Sequence, residues 1–239
     1  MEKRKISTLL FDLDGTLLPM DQDAFVEGYF KLLAKKMIPY GYDPQELIKA
    51  VWAGTGAMVK NDGRVTNDVV FWEAFKKIFP ETAERDMPLF EEFYKNEFDQ
   101  AIAFSAPSPK VPEYIRELKA KGYRLVLATN PIFPEIATMK RISWAGLKSE
   151  DFERVTVYEN SSYAKPNPEY YVDLCKQLNI APEEAVMVGN DAEEDMVAET
   201  VGMHVFLLTD CILNKKAIDI SKYPQGGFDA YLKYLEELG

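Results

Sequence analysis

A chain of 239 residues with 47% apolar, 13% aromatic and 28% charged side chains has enough material for one large domain, or for a core with a smaller second domain. The formal net charge of −11 argues against a nucleic acid as main partner, because that binding relies on clustered lysine and arginine; a small anionic substrate stays open where a metal and a lysine reverse the field locally. No stretch approaches the length of a membrane span, and Cys175 and Cys211 stand in no metal-binding or redox spacing, so a cytoplasmic protein with reduced thiols and no membrane partner is expected.

The basic N-terminus leads into a short apolar run, residues 6–11, that ends at Asp12 and Asp14 without the small-residue cleavage site of a signal peptide. A nearly continuous apolar run of this length predicts a strand buried on both faces of a parallel sheet. In the Phe-Asp-Leu-Asp-Gly-Thr that closes it, carboxylates at i and i+2 of an extended chain point to one side while Leu13 points away. They stand where the strand runs out, which is where open parallel sheets place ligands, and Gly15 permits a sharp turn. An EF-hand fails on spacing because Leu10 occupies the first ligand position, and neither a dinucleotide fingerprint nor a phosphate-binding GxxxxGK[ST] loop is present.

From about 19 to 107 apolar residues recur at helical spacing, as in Phe25, Tyr29, Leu32 and Leu33, or Val70, Phe71, Ala74, Phe75 and Ile78. This predicts a small all-helical insertion, punctuated at Gly41, Gly54, Gly56 and Pro80, with an aromatic stripe that is most simply helix-packing core. Residues 106–112 (APSPKVP) are the expected return hinge. Lys60 and Arg64, near a glycine-permitted mobile loop over 54–63, are candidate contacts to a ligand.

Strand-like runs then follow at 123–129, 154–158, 185–189 and 203–208, separated by amphipathic stretches predicting helices near 111–121, 134–145, 167–179 and 192–201. That alternation indicates an α/β fold, a Rossmann-like parallel sheet flanked by helices, with the core built from 1–18 and 108–239 and the helical insertion over 19–107. Thr129 and Asn130 end the second strand, Lys165 precedes a helix started by Pro166 and Pro168, and an acidic segment, Asn190 to Asp195, follows the fourth. His204, the lone histidine, sits in an apolar run and reads as structural, which removes histidine metal sites and leaves no elbow for a serine triad.

Four segments in this order, Phe-Asp-Leu-Asp-Gly-Thr at 11–16, Thr129 after an apolar strand, Lys165 in Ala-Lys-Pro-Asn-Pro, and Val-Gly-Asn-Asp-Ala-Glu-Glu-Asp at 188–195, resemble the motifs of the haloacid dehalogenase-like superfamily with a helical C1-type cap. The resemblance implies a Mg2+-dependent phosphatase acting on a small phosphorylated metabolite as a monomer or homodimer. Asp12 would be the nucleophile, forming an aspartyl-phosphate, and Asp14 the general acid and base, with a pKa raised by the neighbouring carboxylate. Thr129, Asn130 and Lys165 would hold the phosphoryl group. Asp12, Asp14 and either Asn190 or Asp191 would hold the metal, with Asp195 orienting Lys165 or the ligands behind them. Asn190 departs from the family's commoner aspartate. Asp14 disfavours dehalogenation, whereas a phosphosugar mutase shares all four motifs, and a retired binding or regulatory protein would keep the fold without the chemistry.

Overall fold

The computed structural model describes residues 5–238; the first four residues and Gly239, assigned to the core from sequence, lie outside them. Six parallel strands form one sheet: β1 (Thr8–Phe11), β2 (Arg124–Leu127), β3 (Arg154–Val155), β4 (Ala185–Gly189), β5 (His204–Leu208) and β6 (Gln225–Gly226). Their order is β3-β2-β1-β4-β5-β6, so the chain works outward on one side of β1 and then returns to build the other. The β1–β4 boundary is therefore a topological switch point, and a crevice opens there at the carboxyl ends of the strands.

Alternation along each strand explains why the sheet is buried on both faces. Leu9 and Phe11, Leu125 and Leu127, Val186 and Val188, and Phe206 and Leu208 enter one core. That core also takes Ile115 of α5 (Lys110–Ala120), Ile142 of α6 (Glu135–Trp144) and Tyr231 of α8 (Phe228–Leu238). Leu10, Val126, Met187 and Val205 enter the other, with Tyr171 and Leu174 of α7 (Pro168–Leu178).

No strand interrupts the segment between β1 and β2. It holds α1 (Gln22–Met37), α2 (Pro44–Val59), α3 (Asn67–Ile78), α4 (Ala83–Lys95) and a 3-10 stretch, Glu97–Phe104. Asp21 and Asp43 start the first two helices, accepting hydrogen bonds from the N–H groups of Ala24 and of Gln45 and Glu46. The two passages of chain into and out of this segment run side by side: Met20 bridges Ser105, and Ala106 N–H donates to the Pro19 carbonyl at 2.7 Å. Phe98, fully buried, packs edge-on to Phe25 and Tyr29 and stacks on Trp144 of α6, clamping the helical segment to the sheet layer.

Several boundaries differ from the sequence reading. Gly54 and Gly56 lie inside α2, not in a mobile loop; a Cβ on Gly54 would meet the Phe71 ring at 2.4 Å, so the glycine allows α2 and α3 to approach. The strand expected over 154–158 is only two residues long. The helix expected over 192–201 is a turn followed by a 3-10 stretch, Met196–Val201, whose backbone tightens as Ala198 N–H reaches the Asp195 carbonyl. The edge strand β6 and helix α8 were not foreseen. Among the described residues no helix is long and apolar enough to cross a membrane.

Phe98→Ala should lower stability by about 3–5 kcal/mol, the range for emptying a buried phenylalanine site, read as a lower urea midpoint. An unchanged midpoint would show that the clamp on Trp144 contributes nothing.

Candidate active site

Three strand ends deliver the site. Asp12 directly follows β1, Thr129 lies just beyond β2, and Asn190 directly follows β4. All three, with Asp14, Asn130, Asp191, Glu194 and Asp195, line a cleft of about 120 Å³. Gly15, at φ +85°, turns the chain after Asp14 and comes so close to Asn190 that a Cβ would sit 2.3 Å from its amide nitrogen.

Lys165 is the centre of charge. It is fully buried, and its ammonium donates to Asp12 Oδ1 at 3.0 Å and to Asp195 Oδ1 at 2.6 Å. Burial works against its charge, but the two carboxylates outweigh that and hold the ammonium well above its usual range. One lysine cannot satisfy two buried acids. Burial therefore still raises Asp12, against Lys165, and pushes Asp195 up to about 6. Asp195 also accepts the Asp191 N–H at 2.9 Å, so a single carboxylate ties the lysine to the turn after β4.

The segment bearing Lys165 is itself held. Asn130 Oδ1 accepts the Lys165 N–H, and its amide nitrogen donates to Glu194 at 2.9 Å. Tyr170 and Tyr171 of α7 donate to the main-chain carbonyls of Thr129 and Glu194. The Asn130 side chain is thus scaffold, which leaves its main chain for any anion. Asn190, 1% exposed, is engaged at both ends of its amide, accepting from the Thr16 hydroxyl and donating to the Cys211 carbonyl. Asp191 is half-buried; its Oδ1 accepts the N–H groups of Glu193 and Glu194 as a cap, though a turn and not an α-helix follows.

The sequence reading missed Arg141. It projects from α6, is 1% exposed, and donates to Asp14 Oδ2 while its guanidinium lies 4.4 Å from the Phe133 ring centroid. Its position is a recoverable signal: it shares the apolar stripe of α6 with Ala137, Thr138 and Ile142, where an arginine requires a buried partner. Asp14 is raised as anticipated, but burial is the cause, opposed by Arg141, and not the neighbouring carboxylate. Its other oxygen, Oδ1, is buried with no hydrogen-bond partner. Glu194 was also missed as a site residue; burial, reinforced by Asp191, pushes it up to about 8. Lys60 and Arg64 are exposed and do not line this cleft, and Arg64 is paired with Asp62.

Five carboxylates thus line the cleft, and three of them, Asp12, Asp14 and Asp195, pair with the two buried cations. Asp12 and Asp191 offer hard carboxylate oxygens, a chemistry that suits a small divalent cation, although among the described residues no three acidic or other ligating side chains group closely enough to hold one unaided.

Residues 6–198 match the family model described as haloacid dehalogenase-like hydrolase. A phosphoglycolate phosphatase of Psychrobacter arcticus is 26% identical over 197 residues, covering 82% of this chain and 80% of that protein. A pyrophosphatase PpaX of Listeria innocua is 29% identical over 200 residues, covering 82% of each. A crystal structure described as a predicted phosphoglycolate phosphatase from Haemophilus somnus superposes with a TM-score of 0.59 at 20% identity, covering 97% of this chain and 98% of that one.

The surplus of buried acid has a consequence for stability without divalent cations. Glu194, ordinarily near 4.5, is held protonated up to about 8 in the folded chain, so between those values the folded state binds more protons than the unfolded state. Its contribution is fully present below the unfolded value and is lost as pH rises toward 8. In EDTA the melting temperature should fall between pH 5 and 8, about in step with that titration, and Glu194→Gln should flatten the slope. A melting temperature rising over this window, or an unaltered slope in the variant, would count against the assignment.

Proposed function

The chain belongs to the haloacid dehalogenase-like hydrolase family, and from that premise we propose that it is a Mg2+-dependent phosphatase acting on small phosphate monoesters through an aspartyl-phosphate on Asp12. The observation that carries this reading is the Asp12–Lys165–Asp195 array at the end of β1, with Asp14 two residues on and paired to Arg141. Relatives named as phosphatases support it.

Phosphate monoesters hydrolyse very slowly in water, so the site must supply an in-line nucleophile, charge neutralisation and a proton for the leaving oxygen. The Thr129 hydroxyl, the Asn130 main chain and Lys165 bind the phosphoryl oxygens. An oxygen of Asp12 attacks phosphorus; the bond to the leaving oxygen breaks, and that oxygen takes a proton from Asp14. Asp14 then removes a proton from water, the resulting hydroxide displaces Asp12, and inorganic phosphate leaves. Burial favours the protonated form of Asp14, and Arg141 holds its Oδ2, so Oδ1 is the atom to carry the proton. The Asp12 carboxylate, the Asp14 main-chain carbonyl and the Asp191 carboxylate would hold the cation, which supplies charge neutralisation at the phosphoryl oxygens. Asp191 is favoured over Asn190 because both ends of the Asn190 amide are already engaged. Residues 19–107 act as a cap on a core formed by 1–18 and 108–239, excluding water from the leaving-group side.

Phosphate release should be measured from sugar phosphates, nucleoside monophosphates and phosphoglycolate. The reading expects release with Mg2+, none with EDTA, and a fall to background in Asp12→Asn at unchanged circular dichroism. Turnover that survives either treatment would remove Asp12 or the metal from the mechanism.

A further inference from the structure

Beside the reaction cleft lies a larger cavity of about 330 Å³, bordered by the helical segment, by residues 132–136 after β2, and by Tyr158 and Glu159 after β3. The two spaces adjoin at Val26, Ile132 and Phe133, which line both, so the boundary between them is apolar. Much of the cavity wall is aromatic, including Phe30, Trp52, Phe71, Trp72 and Phe90. Trp52 is 51% exposed, with only its contact on the Phe30 ring, at 5.5 Å between centroids, among its aromatic neighbours. A half-exposed tryptophan lining a cavity is poorly placed as packing and well placed as a binding surface.

The charges around this cavity select against one kind of occupant. Lys95 is the only cation among its lining residues, and it pairs with Glu91 at 3.4 Å. Glu135 and Glu159 complete the charged lining, and burial raises Glu159 above its usual range. Behind the reaction cleft, the buried Lys165 and Arg141 are already committed to carboxylates. A second anionic group on the substrate, such as the carboxylate of phosphoglycolate or the second phosphate of pyrophosphate, would find no unpaired cationic side chain lining either space. A glycolate-sized leaving group would also leave the cavity largely unfilled.

Resting on the phosphatase reading, we propose that the natural substrate class is a phosphate monoester of a flat aromatic alcohol lacking a second anionic group. Its phosphoryl group lies at Asp12, its linking carbon passes between Val26 and Phe133, and its ring stacks in the aromatic cavity. This departs from the substrates in the names of the relatives above. Their sequence identity leaves room for that, because residues lining the cavity need not follow the four motifs.

The test compares 2-(2-naphthyl)ethyl phosphate with ethyl phosphate, whose leaving alcohols are of similar basicity, and with phosphoglycolate and pyrophosphate. The naphthyl ester should exceed each of the others in kcat/KM by about 100-fold, chiefly through KM, and Trp52→Ala should cut its preference over ethyl phosphate by about tenfold. Equal rates for the two esters, or faster turnover of phosphoglycolate, would overturn the proposal and leave the phosphatase reading intact. A second readout separates the two: Asp12→Asn with Mg2+, titrated with the naphthyl ester and followed by tryptophan fluorescence. Saturable binding without turnover of any ester by the unsubstituted protein would sink the hydrolytic reading and keep the ligand class. No binding would sink the ligand class.

Discussion

The ammonium of Lys165, fully buried between Asp12 and Asp195, is the contact on which the rest of the site depends. Removing a cation from water costs several kcal/mol unless partners surround it, so three separate pieces of chain must arrive together. β1 brings Asp12, the turn after β4 brings Asp195, and the segment before α7 brings the lysine. The sheet order makes this possible because β1 and β4 are neighbours at the point where the connection reverses. Tyr170, Tyr171 and Asn130 then restrain the lysine's segment through main-chain contacts, so its position is fixed by packing as well as by charge.

The same constraint leaves the site with more acid than base. Arg141 answers Asp14 and Lys165 answers Asp12 and Asp195, but Asp191 and Glu194 face the cleft with no buried cation of their own. Raised acids throughout the cleft express that imbalance. A divalent cation and a phosphoryl group carry charges of opposite sign, so on the proposed mechanism the cleft would take the pair together and not the anion alone.

Much of this was legible in the sequence because local pattern and global role coincide. The apolar runs at 6–11, 123–129 and 185–189 could only be doubly buried strands, and the chemistry-bearing residues stand at their ends. Arg141 was hidden because a helical stripe reports that a position is buried, not which carboxylate waits across the interface. Gly54 misled for a related reason: a glycine in a helix looks like a break until the ring of Phe71 is seen to occupy the space of its missing side chain. The segment 192–201 has a helical pattern but tightens, since Asp195 must turn inward to reach Lys165. α8 carried an amphipathic pattern, Phe228, Tyr231 and Leu235, that went unread beyond the last apolar run.

The aromatic stripe of the helical segment is core, as its spacing implies, and part of that core also borders the cavity. Phe75, Phe93 and Phe98 are fully buried and hold the helices together, and Phe30, Phe71 and Phe90, though buried, also line the cavity with Trp72 and the half-exposed Trp52. Periodicity cannot separate these two groups, because both lie on inward faces and differ only in whether the opposite wall reaches them. The separation matters for how such a protein changes. The residues that the proposed reaction assigns to proton transfer and phosphate binding stand at or beside strand ends locked by the buried lysine, where a substitution disturbs charges in several elements at once. Of the rings that border the cavity, Phe30, Phe71 and Phe90 also pack the helices, whereas the half-exposed Trp52 can be replaced with least cost to packing and without touching the Lys165 array. Recognition can therefore diverge between relatives while the reacting atoms stay in place.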